Sequence, residues 1–299
     1  MKRILYSGLV AAILTLGVIS CEQVDIMGIN NDEMLDDDGV ELRFTISNIE
    51  QVSFDDDKTG TRATHDITEL CSRITLVFFQ DGKKVKTIHQ KDTDDEFGTL
   101  QTTLPAGEYK FVAIAHNGNG NPSITSLEEI YFDSKVTMTD TFYYYGELDV
   151  TEPQDLNLSL KRAVAMVRFV ISDNVPDEVT RMKFYYTGGS STFNAITGYG
   201  SKDSRQTEYR DVDEAAHSGE SYYEIYTFPH EEEDLLKLTV TAQTDDDDEY
   251  LERVFENIPV KINQITKFTG KFFENAQKPG EFKTTMTIND DWTETELSY

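Results

Sequence analysis

The sequence is poor in cysteine. Two in 299 residues, Cys21 and Cys71, make no disulfide framework. It is also poor in positive charge: 27 Lys and Arg stand against 55 Asp and Glu, for a net charge of -28. A nucleic-acid partner is excluded, because phosphate binding needs a basic face. Flat adsorption onto an anionic membrane is excluded for the same reason. No long stretch keeps an apolar period of 3.6. The one greasy run, Ile4 to Ile19, is short and interrupted, too weak for a comfortable membrane span. Aromatics are not lacking: Tyr and Phe dominate a content of 11%, whereas acidic disordered chains have few. The chain therefore folds.

What it has instead is strand pattern. "ELRFTIS", "RITLVFFQ", "KVKTIH", "EYKFVAIAH", "TFYYYGEL" and "LNLSL" precede residue 161; "AVAMVRFVIS", "RMKFYY", "YYEIYTF", "LKLTVTAQ", "YLERVFEN", "ITKFTGKFF" and "FKTTMTI" follow. Alternation rich in Val, Ile, Thr, Tyr and Phe predicts half-buried strands. Asp81-Gly82 in "FQDGKKV" suits a tight hairpin turn. "LPAGEYKFVAIA" reads as a second hairpin turning at Pro105 and Gly107. About thirteen short strands predict an all-β chain of two tandem antiparallel sandwiches, 41–160 and 161–299, parted near Ser159 to Arg162. Residues 187–221 read as a long polar loop region. The C-terminal "FKTTMTINDDWTETELSY", with the only Trp, Trp292, reads as a closing strand, or else as a donor strand. Cys71, inside an apolar run, reads as an inert core thiol.

The N-terminus carries the clearest chemistry. Lys2 and Arg3 precede the greasy run, which ends in Val18, Ile19, Ser20 and Cys21. An aliphatic residue at −3, a small one at −1 and cysteine at +1 fit a lipoprotein signal, residues 1–20. Small Ser20 lets the signal peptidase reach the Ser20–Cys21 bond, and the thiol of Cys21 carries a diacylglyceryl thioether. Two or three acyl chains anchor stably where one does not. The alternative is an ordinary secretory signal with an incidental cysteine. Residues 21–40, acidic and without usable period, read as a tether. Glu22 and Asp25 loosely match an address for surface export, so the expected place is the outer membrane, lipid-held and facing outward.

Catalytic, cofactor and metal signals are missing. His65, His89, His116, His217 and His230 are scattered, and "HEEED" at residue 230 lacks the second histidine of a zinc helix. "HNGNGN" follows a strand but opens no helix, so it is a turn. "TGGSS" lacks nucleophile-elbow spacing. "TDDDDEY" lacks the glycine and late glutamate of a calcium loop and reads as a solvated tip, with weak Ca²⁺ binding the alternative. A pair of carboxylates working as a glycosidase has no particular residues to point to. The expectation is a protein that is no enzyme and takes no cofactor.

The anchoring cysteine, "TELCSRITLVFFQDGKKVKTIHQK", "GTLQTTLPAGEYKFVAIAHNGNGNPSI", "DTFYYYGEL" and "LNLSLKRAVAMVRFVI" together resemble the FimB/Mfa-type, fimbrillin-like fimbrial lipoproteins of the Bacteroidales, over most of residues 41–299. The resemblance implies transthyretin-like sandwiches and partnership with fimbrial subunits by strand exchange. It implies a role as anchor or cap of a fimbrium, or as a polymerising or tip subunit. In stalk subunits an Arg-specific protease removes an N-terminal strand; "TGTRATH" makes the Arg62–Ala63 bond a candidate for that cut, or Arg62 an ordinary exposed arginine. A surface lipoprotein that binds a glycan or host protein is the alternative from another class. Its aromatic platform would come from Tyr143 to Tyr145 in "TFYYYGEL", or from "SYYEIYTF".

Overall fold

The computed structural model describes residues 39–49, 67–132, 137–274, 284–289 and 294–297. The first half holds β1 (Val40–Ile49), a one-turn helix α1 (Ile67–Leu70), β2 (Arg73–Gln80), β3 (Lys83–Lys91), β4 (Thr99–Leu104), β5 (Gly107–His116), short β6 (Ser123–Ile124) and β7 (Ile130–Tyr131), β8 (Thr141–Val150) and β9 (Gln154–Arg162). Seven of these form one sheet in the order β3-β2-β5-β8-β9-β1-β4. β8 and β9 share only the register pairs Phe142–Arg162 and Tyr143–Lys161, so the sheet folds over there. Leu42 and Phe44 of β1 and Leu158 and Leu160 of β9 then share a core with Ile74, Leu76, Phe78, Phe111 and Phe142.

Beyond Arg162 come β10 (Ala165–Ile171), β11 (Arg181–Gly189), β12 (Thr192–Asn194), β13 (Tyr199–Gly200), β14 (Ser204–Asp211), β15 (Ser221–Thr227), β16 (Glu233–Gln243), β17 (Glu249–Lys261), β18 (Ile265–Gly270), β19 (Thr284–Asn289) and β20 (Glu294–Leu297). A sheet β15-β10-β18-β19-β20 and a sheet β14-β11-β16-β17 enclose a separate core. Phe169 and Phe268 stack there with centroids 5.1 Å apart, and Phe255 meets Phe169 edge-on. β19 pairs antiparallel with β18, and β20 with β19, so the C-terminal strands close this sheet; Trp292 lies outside the described residues.

Several expectations change in detail. β1 runs parallel to β9, and β10 parallel to β18, within otherwise antiparallel sheets. "LPAGEYKFVAIA" is no hairpin: β4 pairs with β1, and β5 pairs with β2 and β8, so Pro105–Gly107 carries the chain across the core. Asp81-Gly82 is the expected tight turn, with φ of 50° and 74°. Residues 187–221 are no loop. They include β14, which pairs with β11 from Arg181–Asp211 to Tyr186–Gln206. Polar outward side chains on this edge strand disguise it, while Gln206 and Glu208 point inward to the buried hydroxyl of Tyr186 at 2.9 and 2.7 Å.

β2 and β5 are not half-buried but buried on both faces, as a near-continuous apolar run requires. One face lines the first core. Val77, Phe79, Val112 and Ile114 on the other meet Ile124, Ile130, Phe132, Phe193 and Phe228. The cover includes a small sheet β13-β12-β7-β6, drawn from both sides of residue 162. Cys71 is 2% exposed, and burial pushes its thiol pKa far up, so it is inert.

His116 ends β5 with its ring edge-on to Phe132, 5.6 Å between centroids. Its Nδ1 accepts from the Gly118 N–H at 3.0 Å, which fixes the neutral tautomer. Burial, helped by the charge of Arg73, lowers its pKa from 6.5 to about 4. The neutral ring is the folded form, so its contribution is present above pH 6.5 and is lost as pH falls through the window from 6.5 to about 4. The full loss is on the order of 3 kcal/mol. Urea titrations at pH 7 and pH 4 should show this acid loss shrink in His116→Gln relative to the parent chain.

Candidate assembly site

β1 is an interior strand. On one side it pairs with β4 from Val40–Leu104 to Thr45–Thr99. On the other it pairs with β9 from Leu42–Gln154 to Ile49–Leu160. Alternation sends Leu42 and Phe44 inward, at 2% and 0% exposure, and leaves Glu41 and Arg43 outside. The Phe44 ring lies 5.4 Å from those of both Phe78 and Phe111. The Ser47 hydroxyl donates to the Leu158 carbonyl, and the Ile46 N–H to the Gly98 carbonyl. The slot between β4 and β9 is thus filled by the chain's own first strand. Its removal would bare a strand-shaped groove with an apolar floor, open to backbone pairing on both flanks.

The remaining edges are not equivalent. β3 and β4, the two ends of the folded first sheet, are sewn together by side chains. Lys86 Nζ donates to the Thr103 carbonyl at 3.0 Å, Gln90 Nε2 to the Thr99 carbonyl at 3.1 Å, and Gln90 Oε1 accepts from the Gly98 N–H. Burial lowers the pKa of Lys86, as this inward reach requires. In the second half β14 and β15 are bridged by Arg210, which donates from Nη2 to Glu208 Oε2 at 2.6 Å and to the Glu224 carbonyl at 2.9 Å. β17 and β20 end the other sides of those two sheets.

Ser20, Cys21, Arg62 and Ala63 lie outside the described residues, as does His65. The other histidines are not brought together. His230 contacts Asp234 at 2.7 Å; against its own desolvation, its pKa is raised by Asp234, the Lys202 backbone and Asp203. Among the described residues no three His, Cys, Asp or Glu side chains are grouped to hold a metal. The aspartates at 245–247 are exposed at the β16–β17 turn, where Asp247 pairs with Arg181. Tyr143 is 4% exposed and Tyr144 and Tyr145 are half-buried, so "TFYYYGEL" is strand packing and offers no open platform. In "SYYEIYTF" only Tyr222 stands out, at 62%.

Residues 35–298 match the family of fimbrillin-A associated anchor proteins Mfa1 and Mfa2. The chain belongs to this family. A match over nearly the whole span from before β1 to the last strand leaves no part of the described fold outside it. Among solved structures the chain is similar to a candidate polysaccharide-binding protein of Bacteroides thetaiotaomicron, at 10% identity and a TM-score of 0.50, over 87% of this chain and 98% of that one. It is similar also to the fimbrial anchor protein Mfa2 of Porphyromonas gingivalis, at 12% identity and a TM-score of 0.45, over 84% and 96%. A candidate adhesin of Bacteroides ovatus gives 17% identity and a TM-score of 0.48, over 77% and 87%. No curated protein matches. Membership of the anchor family makes the role fimbria-associated, structural and not enzymatic, at the cell surface or envelope.

The residue that sequence reasoning missed is Arg162. It falls at the expected boundary between the two halves, yet it is 1% exposed. The signal was present: Leu156, Leu158, Leu160 and Arg162 share one parity, and that parity faces the core.

Proposed function

We propose that this chain is the lipid-held anchor of a fimbrium at the outer membrane, its body two sandwiches (41–160 and 161–299) that contact fimbrial subunits through added strands. The supporting observation is the position of β1. It is the first strand after the acidic tether, and both its flanks and its apolar face are engaged. A pull between an acylated Cys21 and a filament would load a strand held in mid-sheet, the arrangement that resists peeling. A polymerising subunit would need that slot emptied by a cut after Arg62, whereas an anchor keeps it filled. With β3 sewn to β4 and β14 bridged to β15, β17 and β20 are, among the described residues, the ends of the larger sheets that remain for a partner strand.

The test is the mature N-terminus. Mass spectrometry on membrane-derived protein should find acylated Cys21; an N-terminal Ala63 with the acylated piece lost would move the role to a stalk or tip subunit. Cys21→Ser should shift the chain from the membrane fraction to the soluble one and leave fimbriae poorly rooted. Unchanged membrane binding with rooted fimbriae would end this reading.

A further inference from the structure

We propose that a cleft at one end of the first sheet is a docking site for a basic, aliphatic segment of a partner protein. The proposal does not depend on the lipid at Cys21. The β2–β3 turn, the start of β5 and the end of β8 meet there, and residues 126–128 and the β12–β13 turn form the opposite wall. The cavity measures about 590 Å³, within the usual range for ligand sites. Its apolar lining comes from Phe79, Tyr109, Leu127 and Leu148, all buried, and from Ile196, which is 45% exposed in the β12–β13 turn.

Five carboxylates line the same cleft: Asp81, Glu108, Glu128, Glu147 and Asp149. One cation is among them, Lys110, and it is engaged with Glu147 at 3.2 Å. Among the described residues the other four carboxylates form no ion pair, and all four are exposed. Like charges around one concave opening focus a negative potential into it. The charge is spread around the opening and does not converge, for no three acids here are grouped to hold a metal ion. A point cation therefore satisfies the cleft poorly. An extended ligand with spaced ammonium or guanidinium groups satisfies it well, and aliphatic side chains between them would cover Ile196 and the apolar wall. Charge complementarity thus selects a Lys- or Arg-bearing peptide segment over an acidic or neutral one.

The chain is acidic throughout, so the test must separate this cleft from general attraction. A fluorescein-labelled peptide alternating Lys and Leu, titrated against the full chain in detergent and followed by anisotropy, should bind saturably. Glu108→Lys with Glu128→Lys, both at exposed positions, should weaken it about tenfold or more at low salt. Asp245→Lys with Asp246→Lys, the same charge change on the exposed β16–β17 turn, should change it less than about twofold. Ile196→Ser should weaken it several-fold at high salt too, where screening removes most of the charge effect. Equal losses from the two charge reversals, equal binding of a Glu–Leu peptide, an unaffected Ile196→Ser variant or no saturable binding would each overturn the proposal.

Discussion

A chain cut after Arg62 is expected to keep its N-terminal piece through gel filtration in native buffer, and to release it only in denaturant. The cut would fall between β1 and α1, so β1 would become a separate strand, yet its described pairings, to β4 and β9, would stay intact. Burying Leu42 and Phe44 contributes roughly 1.5–3 kcal/mol each. The ladders to β4 and β9 add backbone hydrogen bonds on both flanks, and vacating the slot would leave their partners unpaired in an apolar groove. A lipid on Cys21 would then still be fastened to the body by the strand. The measurement is co-elution of the two pieces, followed by a denaturant titration. Phe44→Ala supplies the graded control. It removes a ring packed against Phe78 and Phe111 and should cost about 3–5 kcal/mol, lowering the denaturant concentration at which the nicked pieces part. If the nicked wild-type chain falls apart in buffer, cleavage alone would empty the slot, and the case for a permanently filled slot fails.

This dependence on β1 was half legible in the sequence. "ELRFTIS" declares a strand with Leu42 and Phe44 on one face, because the period-2 pattern is local. That the strand lies parallel to β9, in the middle of a sheet, was not legible: the pairing spans more than a hundred residues and rests on matching shapes across the core. The same division explains the other outcomes. The Asp81-Gly82 turn is fixed by two residues that accept positive φ, and it was readable. The Pro105–Gly107 turn has hairpin chemistry but crosses between layers: β4 pairs with β1, and β5 with β2 and β8. β14 was hidden because it is an edge strand, with Arg205, Tyr209 and Asp211 exposed and the inward Gln206 and Glu208 polar. Burial on both faces of β2 and β5 was written in "RITLVFF" and "FVAIA", runs too apolar for a strand that meets water on one side. The cleft around Ile196 could not be foreseen, since its walls come from turns distant in sequence.

Arg162→Met is expected to destabilise the chain by about 3–5 kcal/mol, because it strips the only described cation from a carboxylate whose side chain is just 14% exposed. The Arg162 guanidinium donates from Nε and Nη2 to the two oxygens of Asp140, each at 2.7 Å, and from Nη1 to Asn263 Oδ1 at 2.6 Å. It also lies over the Phe142 ring, 4.9 Å from the centroid. Asp140 introduces β8 in the first half, whereas Asn263 sits in the β17–β18 turn of the second, so one side chain ties both halves at the point where β9 hands over to β10. Burial pushes the pKa of Asp140 up, and Arg162 pulls against that push. Removing the arginine leaves burial opposed by little more than the Thr141 N–H, so the acid must either take up a proton or stay charged without a cation. Arg162→Lys should rescue little, since a point ammonium cannot reproduce the two-pronged contact with Asp140 and the third bond to Asn263. Arg162→Met with Asp140→Leu should recover most of the loss, because two apolar groups leave no orphaned charge. Thermal melts read the series: at about 2–4 °C per kcal/mol for a chain of this class, the single change should lower Tm by roughly 10 °C. A single variant that melts within a degree or two of the parent would mean that the apolar contacts around Ala163 and Val164 hold the two halves without it.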